Sequence, residues 1–479
     1  MTELAGWEIV VGLEVHCELR TQTKLFCGCR NAFGDEPNTN ICPVCLGLPG
    51  SLPVLNRQAV QLAMGIGLAL HCQVQPSLFH RKNYFYPDMP KDYQISQYDV
   101  PINAGGWLEL PSGKRVGIVR AHIEEDTGKT THVGGGGRIH EAAHSLVDYN
   151  RAGVPLVEIV SAPDLRGPEE AREYVDELRG ILVATGASDG KMEEGSLRVD
   201  CNVSVRPAGS PELGTRCEIK NMNSLRSLGR AITYEAGRQV ELVGGGGEVA
   251  QETRHWDEAD GRTYSMRSKE EAFDYRYFPE PDLVALQPSS DWVQAVRQSL
   301  PVLPSERRAR VAQAASVPVS SEAVATVVRL ELDGLLSAAV SAGADANLAL
   351  RRLANEVAAE LDGRGRPAPD AFVRLLKMES GGELTPTQAR TVLKALMAEG
   401  GDPAGIAEKL GFQALGAGAL AEVVDQVIAA NPSEWQRYSA GDDKLAGFLI
   451  GRIKAATGGN ADLRAAATLL QQYRSGQPH

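Results

Sequence analysis

Ile9-Val10-Val11-Gly12-Leu13-Glu14-Val15-His16-Cys17-Glu18-Leu19 is the stretch on which the reading of this chain turns. Apolar residues alternate in it with carboxylates and an imidazole. Successive side chains of a strand point to opposite faces, so Glu14, His16 and Glu18 share one face while Leu13, Val15 and Cys17 share the other. This pattern predicts a sheet with one packed face. The second face carries charge that a half-buried strand keeps only when it is paired, solvated or bound to metal. Just downstream, Cys27-Gly28-Cys29 and Cys42-Pro43-Val44-Cys45 supply four thiols on two short knuckles. Such paired spacings suit tetrahedral zinc, and with Cys27, Cys29, Cys42 and Cys45 filling all four positions the metal would brace the fold without meeting substrate. The alternative is four unrelated buried thiols.

A chain of 479 residues exceeds one ordinary core, and two to four domains are expected. Apolar residues at 43% and charged residues at 23% describe a soluble globular protein. The net charge of −12 argues against a protein coated in positive charge, so any RNA contact falls to a local patch. No run of apolar residues is long enough to span a membrane, and the N-terminus lacks the basic start and apolar core of a signal peptide. Eight cysteines in so long a chain make no disulfide scaffold. A reduced, cytoplasmic setting with a metal clip is expected.

The chain changes character twice. Up to about Leu283, period-two runs such as Val116–Ile123, Leu197–Val205 and Arg216–Lys220 predict strands of an antiparallel or mixed sheet. Helices are predicted over Asn56–Leu70 and, after Pro168, over Glu169–Thr185. The glycine tracts Gly134–Gly137 and Gly244–Gly247 read as loops. After the hinge Phe278-Pro279-Glu280-Pro281-Asp282 the chain becomes helical, with Thr385-Pro386-Thr387-Gln388 as the clearest helix start. Gly400-Gly401-Asp402-Pro403 marks a further boundary. The expected organisation is an α+β domain over 1–290, an all-α domain over 291–402 and a small α-helical tail over 403–479.

Two more acidic stretches join the opening strand. One is His122-Ile123-Glu124-Glu125-Asp126-Thr127-Gly128-Lys129. In the other, Glu158 stands alone inside Val154-Pro155-Leu156-Val157-Glu158-Ile159-Val160, and a glutamate flanked by apolar β-formers needs a partner. Converged, Glu14, His16, Glu124 and Glu158 suit Mg²⁺, and the imidazole also admits Mn²⁺ or Zn²⁺. Separate ion pairs are the competing reading. The segment from Phe79 to Asp99 mixes Arg81, Lys82 and Lys91 with aromatic rings and suits a loop holding phosphate or nucleotide; the plainer reading is a tyrosine-rich surface loop. No G-x-x-x-x-G-K-[ST], G-x-G-x-x-G after a strand, G-x-S-x-G or H-E-x-x-H occurs. Any use of ATP is therefore without a P-loop.

These stretches resemble the B-subunit family of the aspartyl/glutamyl-tRNA amidotransferases. The matching motifs include Val11–His16, Cys42–Gly50, Phe79–Asp99, His122–Lys129, Asp148–Ile159, Met192–Ser204, Glu218–Ser224, Gln251–Arg254 and Arg276–Asp282. Lys444–Arg452 looks like the family's tail, which resembles YqeY proteins. The resemblance spans nearly the whole chain. It implies a cradle-like α/β catalytic domain with a mostly antiparallel sheet, a helical domain and a tRNA-binding tail. It also implies a ligase that uses ATP to phosphorylate the side-chain carboxylate of a mischarged tRNA, followed by amidation with ammonia. The implied partners are a glutaminase (amidase) subunit, which supplies ammonia through a tunnel, a small third subunit that clasps the two, and mischarged tRNA. The family's Mg²⁺ ligands carry over to Glu14, His16, Glu124 and Glu158, and the cysteines to structural Zn²⁺. Arg81 and Lys82 are candidates for nucleotide phosphates on charge and loop placement. Lys444, Arg452, Lys454 and Arg464 are candidates for tRNA; a solvated helix face is the plainer alternative. The Gly134–Gly137 tract leaves the register between the Glu124 and Glu158 strands open, and Glu18 has no family role. A non-catalytic RNA-binding scaffold and a stand-alone metal-dependent ligase are the rival functions.

Overall fold

The computed structural model describes residues 6–134, 142–266, 275–361, 365–412, 417–457, 461 and 463–475. The chain divides into two compact units, Met1–Ser305 and Glu306–His479.

The first unit is built on a sheet of twelve strands among the described residues. Its order is β13 (Arg262–Ser265), β12 (Thr253–Asp257), β11 (Cys217–Met222), β10 (Leu197–Pro207), β1 (Trp7–Glu18), β9 (Pro155–Ser161), β6 (Arg115–Glu125), β4 (Tyr93–Ser96), β3 (His80–Asn83) and β14 (Phe278–Pro279). β5 (Asn103–Glu109) also pairs with β6 and carries the short β2 (Gln73–Val74). A separate hairpin joins β7 (Lys129–Val133) to β8 (His144–Asp148). The sheet is mostly antiparallel; β11 and β12 run parallel.

The alternation of the opening strand is realised in full. Val11, Leu13, Val15 and Cys17 are completely buried in one apolar core, together with Val157 and Ile159 of β9 and Val199, Cys201 and Val203 of β10. The helices α1 (Arg57–Ala69), α2 (Pro168–Ala184) and α3 (Leu225–Gly244) cover that face. Asn56 caps α1 by accepting hydrogen bonds from the backbone N–H groups of Gln58 and Ala59. Pro168 occupies the first turn of α2, as predicted. Ser224 caps α3, which ends at Gly244. A further helix, α4 (Ser290–Gln298), buries Val296 in the same core.

Between β6 and β9 the register is defined: His122 faces Glu158, and Glu124 faces Leu156. Residues 135–137 of the glycine tract lie outside the described residues.

The second unit is helical. One apolar cluster includes Val324, Val327, Leu335, Phe372, Leu376, Val392 and Ala407; another includes Leu420, Val424, Leu449, Ile453 and Leu470. The Thr385–Gln388 capping box is present at the start of the helix Pro386–Glu399. No helix among the described residues is long and apolar enough to cross a membrane.

One glycine in the first core is set by close approach. A Cβ on Gly67 of α1 would lie 2.0 Å from Asn103 Oδ1. Asn103 is fully buried and donates from Nδ2 to the carbonyls of Ala63 (2.9 Å) and Ala121 (3.0 Å), which ties α1 to the sheet. Gly67→Ala is therefore expected to destabilise the chain by about 1–3 kcal/mol through overpacking, despite alanine's higher helix propensity. Equilibrium denaturation of both proteins checks this.

Candidate active site

The face of the sheet opposite α1–α3 carries the candidate chemistry. Four strands contribute one cross-sheet row, because His16 pairs with Arg198 on one side and Glu158 on the other, and Glu158 pairs with His122. Paired residues on neighbouring strands hold their Cβ atoms about 5 Å apart, so these side chains meet. Glu124 lies two residues beyond His122 on β6 and reaches the same point.

His16, Glu124 and Glu158 each bring one ligand atom into a group whose members all lie within 4.8 Å of one another. His16 Nδ1 stands 3.4 Å from Glu124 Oε1, and its Nε2 stands 3.8 Å from Asp200 Oδ2. Glu14 is on the same face but outside this trio. Asn202 Nδ2 donates to its Oε1 at 3.1 Å, and it borders a cleft of about 170 Å³ lined also by Gly12, Ser161, Ser204 and Arg216. Asp200 links the trio to Lys220, whose Nζ lies 2.6 Å away.

Electrostatics follow from this crowding. Burial alone would lower the His16 pKa, but Asp200 and Glu124 hold it up at about 10. Burial opposes ionisation of Glu124, yet His122 and His16 keep it well below the ordinary carboxylate range. Glu14 is pushed up, first by burial and then by the charges of Glu158 and Glu218. Asp200 is held down at about 2 by His16 and Lys220, against the penalty of its burial.

The phosphate candidates divide between the two faces. Ser96 pairs with Glu124 and with His80, so His80 and Lys82 share the face of the trio. Arg81 points the other way, where its Nε and Nη2 make a bidentate pair with the buried Glu280 at 2.7 and 2.9 Å and its guanidinium lies 4.2 Å from the centre of the Tyr93 ring. Arg81 thus ties β3 to the segment after β14 instead of facing the cluster; period-two alternation separates it from its neighbour. Lys82 Nζ lies 4.6 Å from the centre of the Tyr275 ring.

The four thiols of Cys27, Cys29, Cys42 and Cys45 form the second group, again within 4.8 Å of one another. Cys42 and Cys45 have their sulfurs 3.9 Å apart. Four sulfurs placed tetrahedrally about 2.3 Å from zinc stand roughly 3.8 Å apart, so the cluster is compatible with a zinc site. The Cys27 thiol beside it draws the Cys45 pKa down to about 5.

Lys444, Arg452 and Lys454 are exposed around the helix Leu445–Ala456, and the Arg452 guanidinium lies 5.3 Å from the centre of the Phe448 ring. Arg464 belongs to the helix Leu463–Ser475, but its side chain lies outside the described residues.

Known proteins share this arrangement of sequence. Residues 9–294 match the GatB/GatE catalytic domain, and residues 334–473 match the GatB domain. The B subunit of the aspartyl/glutamyl-tRNA(Asn/Gln) amidotransferase of Frankia casuarinae is 48% identical over 484 residues, covering 98% of this chain and 95% of that protein. The protein of the same name from Moorella thermoacetica is 47% identical over 467 residues, covering 95% of this chain and 97% of that protein. The chain belongs to the B-subunit family of the aspartyl/glutamyl-tRNA amidotransferases. It is one subunit of a multi-subunit amidotransferase, a ligase of the EC 6.3.5 class acting in protein biosynthesis. Its α+β architecture, a mostly antiparallel sheet followed by helices, is the one the resemblance implied.

Sequence reasoning passed over three residues of this polar face. His122 and Asp200 sit at alternate positions in strands already recognised, and Lys220 in a third. The alternation was visible, but only the register shows that they converge. Glu18 also has a place. Its carboxyl is pushed up to about 8, first by burial and then by the charge of Asp126, while Arg198 opposes the shift. A carboxyl raised in this way holds its proton in the folded state and loses it in the unfolded state between the ordinary value and about 8. Stability from this group is thus greatest at low pH and falls as pH rises through that window. Glu18→Gln should raise the melting temperature relative to the unsubstituted chain more at pH 8 than at pH 5, and melting curves at the two values check it.

Proposed function

We propose that the polar sheet face activates the side-chain carboxylate of Glu-tRNA(Gln) or Asp-tRNA(Asn) with ATP, and that ammonia then displaces the phosphate to give the amide. The convergence of His16, Glu124 and Glu158 on one point carries this reading. The trio fits a divalent cation by a test independent of family. His16 Nδ1 is buried without a hydrogen-bond partner, and its 3.4 Å separation from Glu124 exceeds an ordinary N–H···O bond while matching two ligands of a common ion. One imidazole with two carboxylates suits Mg²⁺ or Mn²⁺. Such an ion, when bound, neutralises charge on the phosphates in transfer.

The chain's own residues supply the rest. His16 must give up its proton to act as a ligand, so cation binding at this face releases a proton. Lys82, on the same face, is placed to meet phosphate oxygens, a role that its neighbour Arg81 gives up to Glu280. Glu14, half-buried on the same face as the trio and raised in pKa by burial and the charge of Glu158, takes the proton that the attacking ammonia sheds. An acyl phosphate hydrolyses in water, which gives a reason for ammonia arriving from a glutaminase partner docked with this chain and clasped by a small third subunit. In this reading the four cysteines hold a structural Zn²⁺, and the tail over 403–479 carries tRNA through Lys444, Arg452, Lys454 and Arg464.

The test uses the assembled complex. Glu158→Gln should cut amidation of Glu-tRNA by roughly 100-fold or more with either glutamine or ammonium as nitrogen donor, because it removes a ligand carboxylate from the phosphoryl-transfer site. Glutamine hydrolysis by the partner should persist. Unchanged amidation would overturn the proposal and leave a scaffold role. Separately, replacing Lys444, Arg452 and Lys454 by alanine should weaken tRNA binding. The salt dependence of log K should become shallower by about 0.7–0.9 for each phosphate no longer neutralised, as binding isotherms at several salt concentrations would register.

A further inference from the structure

His122 is a fully buried imidazole on this face that the mechanism leaves unused. Its side chain is 1% exposed, and neither ring nitrogen has a hydrogen-bond partner among the described residues. Buried polar atoms are nearly always paired, so an orphaned ring at this depth calls for a ligand-linked reason. Its surroundings supply one. His122 Nε2 lies 3.8 Å from Glu124 Oε2 and 3.7 Å from Glu158 Oε2. The other oxygen of Glu124 faces His16 at 3.4 Å. Two imidazoles therefore meet Glu124, one at each carboxylate oxygen, and the other oxygen of Glu158, Oε1, lies 3.8 Å from Arg120 Nη2. The cross-strand pairing with Glu158 and the edge-to-face contact with Tyr98, centroids 6.4 Å apart, fix the ring in place.

We propose that His122 is a positioning residue for the cation site. Its Nε2–H, nearly equidistant from the far oxygens of Glu124 and Glu158, turns the near oxygens of both toward the point they share with His16. Partners of this kind fix the direction of first-sphere ligands and set metal affinity. The inference rests on reading His16, Glu124 and Glu158 as the cation ligands.

Mn²⁺ binding to the full chain, followed by electron paramagnetic resonance without substrate, tests it. His122→Phe keeps a ring of similar size and removes the N–H. It should lower Mn²⁺ affinity by roughly 10- to 100-fold with unchanged stoichiometry. His122→Gln, which keeps a donor, should recover most of that affinity. The metal-free melting temperature reports folding separately, and if His122→Phe fails to fold, His122→Ala against His122→Gln gives the same comparison. Equal affinity in the donor-less and donor-bearing variants would overturn the proposal. Loss of a whole bound ion in His122→Phe would also overturn it, making His122 a direct ligand. Glu124→Gln separates the two levels: if it too leaves Mn²⁺ binding unchanged, the cation site itself fails, and the positioning role fails with it.

Discussion

Everything at the polar face depends on how β1 is clamped between β9 and β10. The strand's odd positions, Val11 to Cys17, are sealed into the core, and burial of that apolar face pins the register. A slip of one residue would send Glu14, His16 and Glu18 into the hydrophobic layer and bring the valines out. With the register fixed, Arg198, His16, Glu158 and His122 fall into a single row across β10, β1, β9 and β6. The packed side of the sheet thus positions the reactive side by energy that has nothing to do with charge.

The row explains how so many ionisable groups are tolerated in a half-buried layer. Taking a charge out of water is costly unless an opposite charge meets it. On this face acids and bases alternate: Arg198 contacts Asp126, Lys220 contacts Asp200, and the imidazoles lie between Glu124 and its neighbours. The carboxylates and His16 are held close, yet at separations longer than hydrogen bonds. Under the proposed reading, a shared ion satisfies that arrangement. The thiol cluster obeys the opposite logic. Its four sulfurs gather within 4.8 Å of one another, which is compatible with a zinc site.

Much of this was legible from residue order. The alternation of β1, the helix starts at Asn56 and Thr385, and the proline at the head of α2 all depend on local geometry, and all three appear as read. The paired short spacings placed the cysteines together for the same reason. Arg81 and Lys82 show where local reading stops. Both are cations in one loop-like segment, but one strand step puts them on opposite faces, and only one faces the trio. Glu18 has no family role, yet burial and then the charge of Asp126 give it a distinct electrostatic character. His122 and Asp200 carry no signal of importance in residue order, since Glu158 opposite the one and His16 beside the other come from different strands.

The sequence by itself determined which side chains share a face and which short segments turn, cap or bind as a unit, because these follow from periods of two and 3.6 and from ligand spacing. It also determined the family, through long motifs spread along nearly the whole chain. Tertiary structure decided which of those faces meet. Bringing His16 opposite Glu158 requires antiparallel pairing across more than a hundred residues of intervening chain, and bringing His122 opposite Glu158 requires β6 to pair with β9. That pairing is selected by burial of the shared apolar face, a collective term that no single stretch of residues carries.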